Sequence, residues 1–247
     1  MSWFFSLSIF NNLQNNSKKA LWFAFLFPLF TIFALWIDSD SFENNYFRAG
    51  MLTAILAITY FCFFFIFASS SLRKLMFVMV FLSYLGELLF CELLKMYDYR
   101  NHAIPLYVPF GHAIVYASGF VLAETSFFIK NEGTLRKLFL ISFFFLFLGV
   151  GIVLNDVFSL IFGTLFFVLM RRKKWANVYY SIALCVIFIE LVGTYFKCWT
   201  WVPKTFGVIP AANPPMGAVF FYAGGDVILA KIVTLWENKI PKTQKST

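Results

Sequence analysis

A helix that crosses a bilayer needs roughly 20 mostly apolar residues to traverse about 30 Å of hydrocarbon. Eight stretches of this 247-residue chain approach that requirement, at about 20–37, 49–68, 75–95, 109–128, 137–154, 157–170, 177–197 and 215–236. Hydrocarbon offers no partner for backbone polar groups, so such runs are forced into helices. The sixth run is short, and only Asn155 and Asp156 part it from the fifth. That spacing predicts a tight helical hairpin, with a single re-entrant pair as the alternative. Composition agrees, with 61% of residues hydrophobic and only 13% charged, where soluble domains hold about half and a quarter. The expectation is an all-α integral membrane protein of about eight transmembrane helices. They form a single domain over 20–236, after an interfacial N-terminal segment (1–19) and before a basic tail (237–247). The opening "MSWFFSLSIFNNLQNNSKK" lacks a basic n-region and a small-residue cleavage site, so it reads as an interfacial segment and not a signal peptide.

The formal charge of +8 would suit nucleic acid if it were gathered in one patch. It is not; the charges lie in short loops between apolar runs, which excludes a nucleic-acid partner. Lys18, Lys19, Arg73, Lys74, Lys130, Arg136, Lys137, the run Arg171–Lys174 and the terminal lysines fall on one side of the predicted topology. Arg48, Lys95, Arg100, Lys197 and Lys204 fall on the other, with the acidic "DSDSFE" loop. The positive-inside rule then places both termini in the cytoplasm, and the membrane is expected to be a bacterial inner or plasma membrane. The four cysteines have no C-x-x-C spacing, and three of them lie inside apolar runs and read as buried thiols, a Cys91–Cys198 disulfide at the outer face being the alternative.

Two stretches break the apolar pattern, "YDYRNHAIPLYVPFGHAIVYASG" and "WTWVPKTFGVIPAANPPMGAVFFYAGGD". They align with their flanks: Glu87 with Glu190, Ile104-Pro105 with Ile209-Pro210, Pro109 with Pro215, Gly111 with Gly217, Tyr116-Ala117 with Tyr222-Ala223 and Gly119 with Gly225. The alignment predicts two parallel four-helix repeats, about 20–128 and 137–236, related by an axis along the membrane normal. The segments joining helices 3–4 and 7–8 are too long for simple turns and are expected to fold inward as partly re-entrant outer caps. Pro109 and Pro215 suit first helical turns, where a missing N–H costs nothing.

Counted along their runs, Glu87, Glu190 and Asp226 fall near mid-bilayer. A charge there costs at least roughly 2.5–3.5 kcal/mol, so these acids are expected to face the bundle interior and meet in one pocket. His112 and Tyr116 are four residues apart, as are Tyr222 and Asp226, so each pair shares a helix face. The two tyrosines are expected to approach across the pseudo-axis. Tyr97, Tyr99, Trp199 and Trp201 stand at the mouth with Asn213, where they would meet substrate; an aromatic interfacial belt would explain the rings equally well. Asp98 and Arg100 read as solvated loop charges and His102 as a rim residue. Two histidines are too few for di-iron membrane desaturases, and nothing has metal-ligand spacing, so neither metal nor cofactor is expected. Ser118 in "YASG" has no later histidine to activate it, and no GxGxxG or P-loop occurs.

Buried carboxyls beside a histidine and tyrosines suit general acid–base chemistry on a lipophilic small molecule drawn from membrane lipid. Glu87 and Glu190 would form the acid–base pair, with Asp226 and His112 beside them and Tyr116 and Tyr222 orienting the substrate. A proton-coupled transporter or carrier is the competing class, and a non-catalytic membrane assembly factor a third. The block Glu87, Tyr97-Asp98-Tyr99 and Ile104-Pro105-Leu106-Tyr107-Val108-Pro109 resembles the bacterial carotenoid 1,2-hydratase family, over about 35 residues. Gly111-His112 stands where that family has apolar and tryptophan residues. The resemblance implies a multi-span protein of carotenoid biosynthesis, a lyase acting on the ends of long polyenes.

Overall fold

A computed structural model describes residues 17–43, 49–171 and 176–239. Most of the expected interfacial segment, Arg48, most of the Arg171–Lys174 run and most of the basic tail lie outside the described residues. Each of the eight apolar runs is helical. In chain order the elements are α1 (Lys18–Ile37), α2 (Asp40–Glu43), α3 (Ala49–Phe67), α4 (Ser70–Glu87), β1 (Tyr97–Tyr99), α5 (Val108–Ala123), α6 (Ser126–Lys130), α7 (Glu132–Val153), α8 (Val157–Met170), α9 (Ala176–Tyr195), β2 (Trp199–Trp201), β3 (Lys204–Thr205), β4 (Ile209–Pro210) and α10 (Val219–Lys239). Side-chain oxygens mark three helix starts, as capping chemistry requires. Ser17 accepts from the Ala20 N–H, Ser69 from Leu72 and Asp156 from Ser159.

Six helical stretches are long and apolar enough to cross a membrane: Lys18–Ile37, Ala49–Phe67, Ser70–Leu93, Glu132–Val153, Ala176–Tyr195 and Met216–Trp236. The other two of the eight expected, Val108–Ala123 and Val157–Met170, are apolar helices too short to be counted with these six. The run at 109–128 breaks at Glu124-Thr125, after which α6 starts separately. α8 is held between its Asp156 cap and Arg171.

α5 and α9 are the central pair; each buries most of its residues, and they pack on one another. Gly119 makes this crossing possible, because a Cβ there would lie 2.5 Å from the Ile182 Cα. α1, α3 and α4 pack on α5, while α7 and α10 pack on α9. The outer faces carry apolar side chains such as Trp22, Leu29, Ile66 and Phe145, all exposed, as expected where hydrocarbon is the solvent. Ser17 donates to the Phe67 carbonyl and Phe77 meets Trp236, which gathers the ends of α1, α3, α4 and α10 at one pole.

The opposite pole corrects the expectation of re-entrant caps. The two unusual segments pair with each other as an antiparallel ribbon, Tyr97 opposite Trp201, Asp98 opposite Thr200 and Tyr99 opposite Trp199. Arg100 N–H to Cys198 O and Val202 N–H to Met96 O extend the ladder. Strand pairing satisfies the backbone groups that a helix would otherwise have to satisfy, so neither segment needs to re-enter as a helix. β3 and β4 form a small hairpin beside the ribbon. Both helix-to-strand connections use a left-handed lysine, Lys95 at φ 50 and Lys197 at φ 58. The four cysteines are free thiols, so the Cys91–Cys198 disulfide alternative is excluded; the Cys198 thiol instead donates to the Leu35 carbonyl at 3.3 Å.

Candidate functional site

Glu87 is the last residue of α4, after which the helix widens into a π-helical turn over Leu88–Leu93, a distortion that recurs at functional sites. Its carboxyl is buried. Oε2 accepts from the Tyr97 hydroxyl at 2.9 Å and from the Tyr99 hydroxyl at 2.8 Å. Oε1 lies 2.9 Å from His112 Nε2. Glu190 is buried within two turns of the end of α9. Its Oε2 accepts from the indole N–H of Trp199 at 2.9 Å and of Trp201 at 3.0 Å, and the Tyr222 hydroxyl donates to Oε1 at 3.4 Å.

The ribbon explains this correspondence. Alternate residues of a strand project to one face, so Tyr97, Tyr99, Trp199 and Trp201 all point into the bundle while Asp98 and Thr200 are exposed. Cross-strand neighbours touch, with Tyr97 and Trp201 rings 4.8 Å apart and Tyr99 and Trp199 rings 6.2 Å apart. Four aromatic donors on one two-stranded lid thus reach two carboxyls on two helices. Gly193 opens the path for one of them, since a Cβ there would lie 2.0 Å from the Trp199 ring. The phenols of Tyr97 and Tyr99 are pushed well above their ordinary range, by burial first and by the Glu87 charge second. They therefore keep their protons and act as donors.

An indole N–H donates and never accepts. A proton on Glu190 must then sit on Oε1, since Oε2 already faces two such groups. Glu87 is arranged alike, with two phenols on Oε2 and Oε1 turned to His112. The rings that meet the two Oε1 atoms stack on each other, His112 on Tyr222 at 5.2 Å and 21°. Two carboxyls thus share one aromatic partition, each offering to it the oxygen able to carry a proton.

Glu87, Tyr97, His112, Glu190, Trp201 and Tyr222 all line two cavities. One, of about 70 Å³, extends between α1, α3 and α5 past Phe27, Phe30, Thr31 and Thr53. The other, of about 510 Å³, extends between α4 and α10 past Met79, Leu82, Phe90, Phe221 and Ile228. Tyr99 and Trp199 line the first cavity alone.

Four expectations need correction. The glutamates do not sit at the middle of their helices; they lie toward the ribbon pole, because the ribbon reaches down to them. Asp226 does not join them. It is buried one turn below Tyr222, lines neither cavity, and acts electrostatically on Tyr116 and Tyr179. Sharing a helical stripe with Tyr222 left the depth along that stripe undefined. Tyr116 likewise stacks on Phe120, not on Tyr222, whose partner is His112. Asn213 lines neither of the two cavities; its side-chain oxygen accepts from the Trp201 N–H at 3.0 Å and braces β2 from behind.

Beside the ribbon lies a second polar cluster that the sequence reading missed. Arg100 is not solvated; its side chain is 12% exposed and pairs with Asp38 at 3.1 Å and Asp40 at 3.7 Å. Tyr107 donates to the other Asp38 oxygen at 2.6 Å. Burial raises the Asp38 carboxyl above 3.8, opposed by the Tyr107 hydrogen bond and the Arg100 charge. Burial likewise pushes the Tyr107 phenol and the Cys198 thiol upward, with Asp38 adding to both. The Glu–aromatic-x-aromatic spacing was a signal for the main site, while a lone Asp after an apolar run was no signal for this one. His102 and Asp98 pair at the exposed rim.

Among the described residues, no three His, Cys, Asp or Glu side chains are grouped to hold a metal ion. Compared with known proteins, the chain matches no family model, no curated protein and no solved structure.

Proposed function

We propose that this protein is an intramembrane enzyme that adds, removes or shifts protons on a lipophilic substrate of isoprenoid or polyene character. One observation carries the reading. Two buried carboxyls each have Oε2 fixed by two aromatic donors and Oε1 turned to the stacked His112–Tyr222 pair, between apolar cavities. In this reading Glu87 and His112 share the mobile proton, since an imidazole nitrogen can both give and accept one. Glu190, held by three donors, stabilises positive charge that develops on a protonated alkene. The rings of Tyr97 and Trp201 add to that stabilisation. Hydration, elimination and isomerisation can each use this set. The local resemblance to carotenoid 1,2-hydratases supports the same substrate class, and the matched Glu87 and Glu190 blocks support duplicated halves. The basic loops support cytoplasmic termini, with the ribbon at the outer face.

The test is mass spectrometry of lipids from native cells carrying the wild type, Glu87→Gln or Glu190→Gln. A lipid product formed with the wild type should fall by about 10²-fold or more in each variant, the loss general acid–base groups impose, while the purified variants unfold at wild-type temperature. Wild-type product levels in both variants would remove the assignment.

A carrier is the second reading, favoured by Asp226, Tyr116 and Tyr179, which continue buried polar groups below the site. It requires proton-linked uptake into liposomes that Asp226→Asn abolishes.

A further inference from the structure

We infer that the gap between α4 and α10 is a side window through which a single long hydrocarbon chain reaches the two glutamates directly from the bilayer. The inference deepens the proposed function, on which it rests for the reactivity of the glutamates, but the window can be tested apart from any reaction.

The larger cavity occupies this gap. It runs from Met96, Tyr97 and Trp201 at the ribbon, past Phe90 and Phe221, to Met79 and Ile228 farther along the two helices. The residues that face each other across it include Gly86 on α4 and Gly224 and Gly225 on α10. These are not packing glycines. A Cβ at Gly224 or Gly225 would meet nothing within 4 Å, and one at Gly86 only the Phe90 ring edge at 4.0 Å. At Gly119 and Gly193, by contrast, a Cβ would overlap a neighbour. Small residues normally let membrane helices approach closely; here they border open space, so what they preserve is a passage.

The chemistry of the passage changes along its depth. Its rim is formed by Leu85, Leu89 and Ile228, which are 61%, 42% and 52% exposed, at a level where the bundle surface is otherwise apolar. Its inner wall carries Glu87, His112, Glu190 and Tyr222. A hydrated solute would have to shed its water at the rim with nothing polar to replace it. A hydrocarbon chain already in the bilayer meets no such penalty, and it would slide inward until it touched the carboxyls. The occupant is therefore a membrane-resident chain, acyl or isoprenoid.

Photolabelling decides the matter and names the source. Full-length protein is reconstituted in phosphatidylcholine nanodiscs with either a palmitic acid or a geranylgeraniol bearing a mid-chain alkyl diazirine, then irradiated and mapped by peptide mass spectrometry. Alkyl diazirines insert readily at carboxyls, so adducts are expected on Glu87 or Glu190, with the chain type that labels more strongly identifying the occupant. Gly225→Leu, which fills the window, should abolish those adducts, and Gly224→Leu serves should the first variant not fold. Gly149→Leu, another open glycine on α7 away from the site, should leave them unchanged. Adducts confined to lipid-facing residues in the wild type would overturn the inference. So would inner adducts that persist in a folded Gly225→Leu or Gly224→Leu protein. If labelling holds while Glu87→Gln and Glu190→Gln keep full turnover, the window stands and the acid–base assignment falls.

Discussion

Tryptophan is an unusual choice for holding a buried acid, and its consequence is directional. Phenols and imidazoles can give or take a proton, but the two indoles on Glu190 can only give a hydrogen bond. That asymmetry separates the glutamates, leaving Glu87 the one whose surroundings adapt to a change in protonation. It also makes each indole costly to remove. Trp201→Phe keeps the ring against Tyr97 but takes one of two donors from Glu190 Oε2, and losing a partner from a buried polar atom costs about 1–3 kcal/mol. Thermal or denaturant unfolding followed by circular dichroism in detergent should show that loss; an unchanged transition would mean that the indole N–H contributes nothing there.

The ribbon is joined to the helices around it by the Asp38 cluster, which links the end of α1 to β1 through Arg100 and to the start of α5 through Tyr107. Because burial raises the folded Asp38 pKa above 3.8, the folded state holds this proton more tightly than the unfolded chain. The resulting contribution is full below pH 3.8 and is lost as pH rises through the folded value. The unfolding temperature of the wild type relative to Asp38→Asn should therefore be highest in acid and decline toward neutral pH; a difference that is flat or rises would contradict this. Much of the helical framework was legible, since every apolar run became a helix. The candidate rings were legible too, as aromatic-x-aromatic pairs following Glu87 and Glu190. Their partnership was not, because β1 and β2 are three residues each and pair across more than a third of the chain, too short and too distant for any periodicity to reveal. Arg100 was misjudged for the same reason: its partner Asp38 lies 62 residues earlier. Asp226 was misplaced because spacing of four fixes a face and leaves depth open.

Seen whole, the molecule has two unlike poles. One gathers the helix ends flanked by Lys18, Lys19, Arg73, Lys74, Arg136 and Lys137, and the other carries the ribbon, the β3–β4 hairpin and the acids Asp38 and Asp40. If the basic pole is cytoplasmic, as proposed from the positive-inside rule, a cysteine placed at exposed Phe206 should react with a membrane-impermeant maleimide added outside intact cells, and one at Arg136 only after lysis. The reverse pattern would invert the orientation. The ribbon also constrains how the protein is made. Its strands leave the ribosome far apart in time, so while the first four apolar helices are already in the translocon, Tyr97–Tyr99 have no strand to pair with. Glu87 must wait beneath an unfinished roof until Trp199–Trp201 emerge. Nascent chains stopped before β2 should be cleared by membrane proteases, while chains released just after α10 persist, a difference that pulse–chase labelling of the two truncations would resolve.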